Sequence, residues 1–112
     1  MSYTIASTDD VDSVVPAEYG GMWFLRDALD TTALGVTILE LEPGAKGKEH
    51  DHEGDGQEEV YVVVTGEVAV DLGDETVHVG EHEAIRLSAD QTRQIHNDGD
   101  ERAQLVLVGT NP

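Results

Sequence analysis

Residues 44–67 read GAKGKEHDHEGDGQEEVYVVVTGE, a polar histidine-bearing half that runs into a β-branched half closed by Gly66. The second half predicts a strand over 57–65 and a turn at Gly66, because Val, Tyr and Thr favour the pleated surface and glycine ends it. Working outward toward the C-terminus, Val68–Leu72 returns and Gly73-Asp74 signals a hairpin into Thr76–Val79. Short runs at Glu83–Leu87 and Arg93–His96 follow, then a turn at Asn97–Asp100 and a closing strand at Ala103–Val108. Toward the N-terminus, Leu34–Leu41 alternates apolar and polar with period two, and Met22–Arg26 is a further strand. Eight or nine short strands separated by turn residues are the pattern of an all-β sandwich or barrel.

The chain is one domain long, with an irregular segment over 1–21 and a β-barrel domain over 22–112. Residues 9–15 have the composition of one marginal helical turn. There is no cysteine, which excludes disulfides, thiolate metal sites and a thiol nucleophile. No apolar run approaches the length of a membrane span and no secretory leader is visible, so a cytoplasmic location is expected. Twenty-four acids against six bases give a net charge of −18. Phosphate backbones and anionic bilayers need clustered Lys and Arg, so neither nucleic acid nor a membrane surface is an expected partner. The acids are spread along the chain, as expected of a domain whose self-repulsion is screened in a high-salt interior.

His50-Asp51-His52 is the triplet with the most chemistry in it. In extended backbone, residues two apart face one side, so both imidazoles can approach one point, and imidazole suits first-row transition metals. Two acids compete for the third donor. Glu59 shares a face with Tyr61 and Val63, whereas Glu58 shares one with Val60, Val62 and Val64. The second face is the more apolar, so parity alone leaves the choice open.

The succession of Gly44, five residues, His50-x-His52, a gap, Glu59, six residues and Gly66 resembles the first motif of the cupin superfamily. The resemblance implies a single jelly-roll β-barrel and a divalent metal ion (Zn, Ni, Fe or Mn) held by His50, His52 and Glu59. It also favours Glu59 over Glu58, which becomes a surface acid. The gap between His52 and Glu59 holds six residues where the family has three or four, and Gly54-Asp55-Gly56 is read as a loop insertion without effect on the strands. The second motif is degenerate. Counting back from Asn97, its one match in type, Arg93 occupies the place of the usual histidine.

A guanidinium has no lone pair to give, so a four-ligand site is impossible. Three readings of Arg93 stay open: a companion to a two-His-one-carboxylate face, a partner of Glu59 or of an anionic ligand in a metal-free barrel, or an outward-pointing side chain. Arg93 and Tyr61 are the expected ligand contacts, and the expected partners are a small molecule, anionic in character, and a second copy of the chain through Met22–Leu25. His78 and His82 are read as surface residues, and His96 as a replacement ligand only if a bulge shifts its register. The runner-up function is a metal-free, non-catalytic binding or sensing barrel.

Overall fold

The computed structural model describes residues 2–110, and nearly all of its regular structure is β. The strands are β1 (Gly20–Phe24), β2 (Leu34–Leu41), β3 (Glu59–Thr65), β4 (Val68–Asp71), β5 (Thr76–Val79), β6 (Ala84–Leu87), β7 (Gln94–His96) and β8 (Ala103–Thr110). They form two antiparallel sheets, ordered β1-β2-β8-β3-β6 and β5-β4-β7. The architecture is of the jelly-roll class. Among the described residues no helix is long and apolar enough to cross a membrane.

One contiguous core joins the sheets. Leu39 and Leu41 of β2, Tyr61 and Val63 of β3, Leu87 of β6 and Leu105 and Leu107 of β8 come from the larger sheet. Val68, Val70, Val79 and Ile95 meet them from the smaller one. In β3 the parity question is settled by burial. Tyr61 is 3% and Val63 0% exposed, so the face that Glu59 shares is the inner one. Glu58 precedes the strand and pairs with Arg86 at the surface, as its reading as a surface acid expects.

The structure departs from the sequence reading in two places, the first of them beside the site. The first strand ends at Phe24, and Arg26 opens a four-residue helix, α1 (Arg26–Leu29), instead of finishing the strand. The left-handed Asp30 ends that helix, at φ 57°. The helical turn expected over 9–15 is a single 3-10 turn at Thr8–Asp10, with Ser7 as its cap. Gly66 sits at φ 79°, and a Cβ there would come within 3.0 Å of Ala103 Cα, so only glycine closes this turn against β8.

The polar stretch before β3 is not a free loop. It runs antiparallel to β7 through Gly44 N to Asn97 O (2.8 Å), Gly47 N to Ile95 O (2.9 Å) and reciprocal bonds between His50 and Arg93 (3.0 and 2.9 Å). Residues 44–50 thereby extend the smaller sheet by an irregular edge, which holds the His-x-His triplet extended.

Candidate metal centre

His50, His52 and Glu59 each offer one ligand atom, and these atoms lie within 4.8 Å of one another. Alternation along the extended edge turns both imidazoles inward, with ring centroids 5.1 Å apart and planes at 87°. Glu59 reaches the same point from the start of β3. Its Oε1 lies 3.2 Å from His52 Nε2 and 3.8 Å from His50 Nε2.

The opposite nitrogen of each ring is engaged. His50 Nδ1 is 2.9 Å from the Lys48 carbonyl, and His52 Nδ1 is 3.1–3.2 Å from both carboxylate oxygens of Asp55. Acceptors at both Nδ1 positions hold the proton there in the neutral rings, leaving both Nε2 lone pairs toward Glu59. An imidazole anchored by a carboxylate or carbonyl in this way is pre-oriented as a metal ligand. Asp55 is the residue the sequence reading missed. The Gly54-Asp55-Gly56 insertion is a turn, closed by Asp55 N (3.1 Å) and Gly56 N (2.7 Å) donating to the His52 carbonyl. The extra residues deliver the second-layer carboxylate. Departure from the family spacing was the available signal.

Arg93 is fully buried and points inward, which removes the outward reading. Its backbone pairs with His50, and its Nη2 lies 3.6 Å from Glu59 Oε1 and donates to the Ser88 carbonyl at 3.3 Å. Its Nε and Nη1 have no hydrogen-bond partner among the described residues. Tyr61 donates its hydroxyl to Glu59 Oε1 at 3.4 Å. One oxygen of Glu59 is thus the meeting point of two imidazoles, a guanidinium and a phenol.

Electrostatics follow from that crowding. Burial pushes the Glu59 carboxyl up, but the neighbouring His50 imidazole and the charges of His52 and Arg93 outweigh it, and its pKa falls below the usual value. The nearby Glu59 carboxylate raises the His50 pKa against the opposing effect of burial. Burial, with the neighbouring Glu59 charge, pushes the Tyr61 phenol far up, so it stays protonated. Asp55 is held low by the Gln57 amide and by His52.

A cavity of about 460 Å³ opens onto this cluster, within the range of small-molecule pockets. His50, His52 and Glu59 form its polar end, and Met22, Phe24 and Leu107 an apolar wall. Arg93 and Tyr61, the expected ligand contacts, lie behind Glu59, and neither lines it. Of the other histidines, His78 is exposed beside Asp98 and His82 occupies an exposed turn at φ 64°. His96 keeps its register opposite Ala69 and Lys46, away from the cluster, with no bulge to turn it inward.

The sequence profile of the Cupin domain family matches residues 37–109. A sugar phosphate isomerase of the cupin superfamily from Silicibacter pomeroyi is 26% identical, with TM-score 0.70 over 91% of this chain and 69% of that one. A cupin protein from Bacteroides fragilis superposes with TM-score 0.80 at 22% identity, over 99% of this chain and 86% of its own. A Cupin 2 conserved barrel domain protein from Salinispora arenicola gives the same score at 16% identity, over 99% and 91%. These last two show likeness of fold alone. No curated protein matches the chain.

Proposed function

The chain belongs to the cupin domain family, and from that membership we propose that it binds a divalent transition metal through His50, His52 and Glu59 and a small molecule in the adjoining cavity. One observation carries the reading: both Nδ1 atoms are engaged by acceptors, so both Nε2 atoms are presented toward the Glu59 carboxylate. Two imidazoles and a carboxylate on one face are a donor set for Zn, Ni, Fe or Mn with positions left for a ligand. A metal there supplies Lewis-acid polarisation of a ligand oxygen.

The chain's own residues have separable tasks. Asp55 and the Lys48 carbonyl orient the rings. Tyr61 and Arg93 support Glu59 from behind, and Arg93 adds a permanent positive charge without donating a lone pair. Met22, Phe24 and Leu107 keep one side of the cavity apolar, which excludes water around a bound molecule. The metal-free barrel with Arg93 as anion anchor is the competing reading, favoured by the unpartnered Nε and Nη1. The absence of Arg93 from the cavity wall weighs against it.

Calorimetric titration with Zn²⁺ is the test. Wild type is expected to take up one ion, His50→Ala to lose uptake, and Asp55→Ala to bind about 10–100-fold more weakly. A wild type that takes up no zinc at pH 7.5 overturns the metal reading. We also propose a homodimer formed along β1, an edge strand of the larger sheet that Ser13 and Val14 bond only at Met22 and where Phe24 is half exposed. Sedimentation showing only the 12.1 kDa species would exclude it.

A further inference from the structure

The arginines of this acidic chain are matched to carboxylates, with one exception. Arg86 pairs with Glu58, Arg93 with Glu59, and Arg102 with Glu40 and Glu42. The Arg26 guanidinium has no ion-pair or hydrogen-bond partner among the described residues, although the chain carries twenty-four acids. It lines the same cavity as His50, His52 and Glu59.

Its placement depends on an arrangement in the sheet beneath it. Gly35 of β2 and Gly109 of β8 are register partners. A Cβ on Gly35 would sit 2.6 Å from Arg26 Nη2, and a Cβ on Gly109 would sit 2.6 Å from Gln57 Oε1. Glycine inside a strand weakens the sheet and marks a place where something approaches the backbone closely. Here two facing glycines let a guanidinium and a carboxamide lie on adjacent bare backbone, on positions about 5 Å apart. Gln57 lines the cavity as well.

We propose that Arg26 and Gln57, seated on the Gly35–Gly109 pair, recognise the carboxylate or phosphate of a small ligand whose other end reaches His50, His52 and Glu59. The second half of that statement rests on the metal reading; the first half does not. A guanidinium fork matches both kinds of oxyanion, and the carboxamide adds a donor beside it. Charge argues in the same direction. Asp27 and Glu59 on the cavity wall offset Arg26 and the buried Arg93, so a divalent ion makes the lining net positive. An anion is therefore held more tightly by the metal-loaded protein.

Zinc-saturated protein titrated with glycolate, malate and 3-phosphoglycerate tests this. All three present a hydroxy acid to the metal end, malate adds a distal carboxylate, and 3-phosphoglycerate adds a distal phosphate. Malate or 3-phosphoglycerate is expected to bind at least about tenfold more tightly than glycolate, and the tighter of the two identifies the oxyanion. Arg26→Met should erase that advantage while leaving zinc and glycolate affinities unchanged. Gly35→Val, which displaces the guanidinium, should do the same with Arg26 retained. Should Gly35→Val fail to fold, Arg26→Met decides alone. An advantage that survives Arg26→Met, or no advantage in wild type, overturns the proposal. Absence of zinc uptake instead overturns the metal reading. In that event a preference for 3-phosphoglycerate or malate over glycolate in the metal-free protein, lost in Arg26→Met, upholds the Arg26 site, and no such preference overturns it.

Discussion

Asn97 and Arg93 lie four residues apart, flank β7 and are both completely buried, yet their surroundings differ. Asn97 Nδ2 donates to the carbonyls of Leu41 and Glu101, each at 2.8 Å, and its Oδ1 accepts from Gly99 N at 3.1 Å. Its backbone is paired with Ala45 and Gly44. At the Arg93 end, two guanidinium nitrogens lack partners and a single carboxylate balances the charge. Buried polar groups are nearly always satisfied because an unmet one is expensive. The Asn97 end obeys that rule. The Arg93 end breaks it, beside the three donors, and this marks the end where chemistry is expected.

The largest expected effect tests the unfinished end. Glu59→Ala in metal-free protein leaves Arg93 buried without its countercharge, a change that destabilises by about 3–5 kcal/mol. Urea unfolding should show that loss, and Glu59→Ala/Arg93→Met should recover most of it. A loss under about 1 kcal/mol, the scale of an exposed pair, would mean that Arg93 does not depend on Glu59. The finished end comes next. Asn97→Ala strands two carbonyls and an amide, at about 1–3 kcal/mol for a buried group left unmet, with zinc affinity unchanged. Zinc binding that weakened in this variant would erase the division of labour between the two ends.

Arg93→His turns the incomplete end into a complete one. It removes a cation beside the metal position and supplies another imidazole from the strand neighbour of His50. Zn²⁺ or Ni²⁺ should bind at least about tenfold (~1.4 kcal/mol) more tightly than to wild type, and His50→Ala in that background should cancel the gain. Equal affinities in calorimetry would mean that the residue at 93 does not face the donors.

The smallest effect is in pH. His50 titrates above its ordinary 6.5, so in metal-free protein its contribution is full below that value and is lost as pH rises through the raised pKa. Glu59 titrates below its ordinary 4.5, so its contribution is present above that value and is lost as pH falls through the lowered pKa. Metal-free stability should therefore be greatest between those two ordinary values. Zinc affinity should move oppositely on the alkaline side, rising as His50 loses its proton. Asn97→Ala should lower the stability curve evenly across pH, whereas Glu59→Ala should flatten it.

Much of this contrast was legible in the sequence, for physical reasons. The period-two alternation of Leu34–Leu41 marks β2 at its observed ends, and Thr76–Val79 marks β5, because each strand shows the core one face. The triplet and Glu59 were legible as donors through residue type and spacing. Three things were not. Arg26 looked like the end of a strand, since nothing local announces that the chain turns into α1 after Phe24. Asp55 looked like loop filler, because its meaning lies in the distance to His52. For Arg93 a pairing with Glu59 was legible as one reading but its complete burial was not, since depth between two sheets depends on both at once.

The position of β8 in the larger sheet has a further consequence, for biosynthesis. It lies between β2 and β3 and pairs with both, with Leu39 opposite Leu105 and Tyr61 opposite Leu107. Both neighbours leave the ribosome well before it. Until residues 103–110 emerge, β2 and β3 each carry an open edge rich in apolar side chains, the kind of surface that recruits other chains. The sheet cannot form in the order in which it is translated. Slow, late and cooperative folding is the outcome for pairings of such sequence separation, and arrested translation products ending before Ala103 should be targets for chaperones rather than partly folded intermediates.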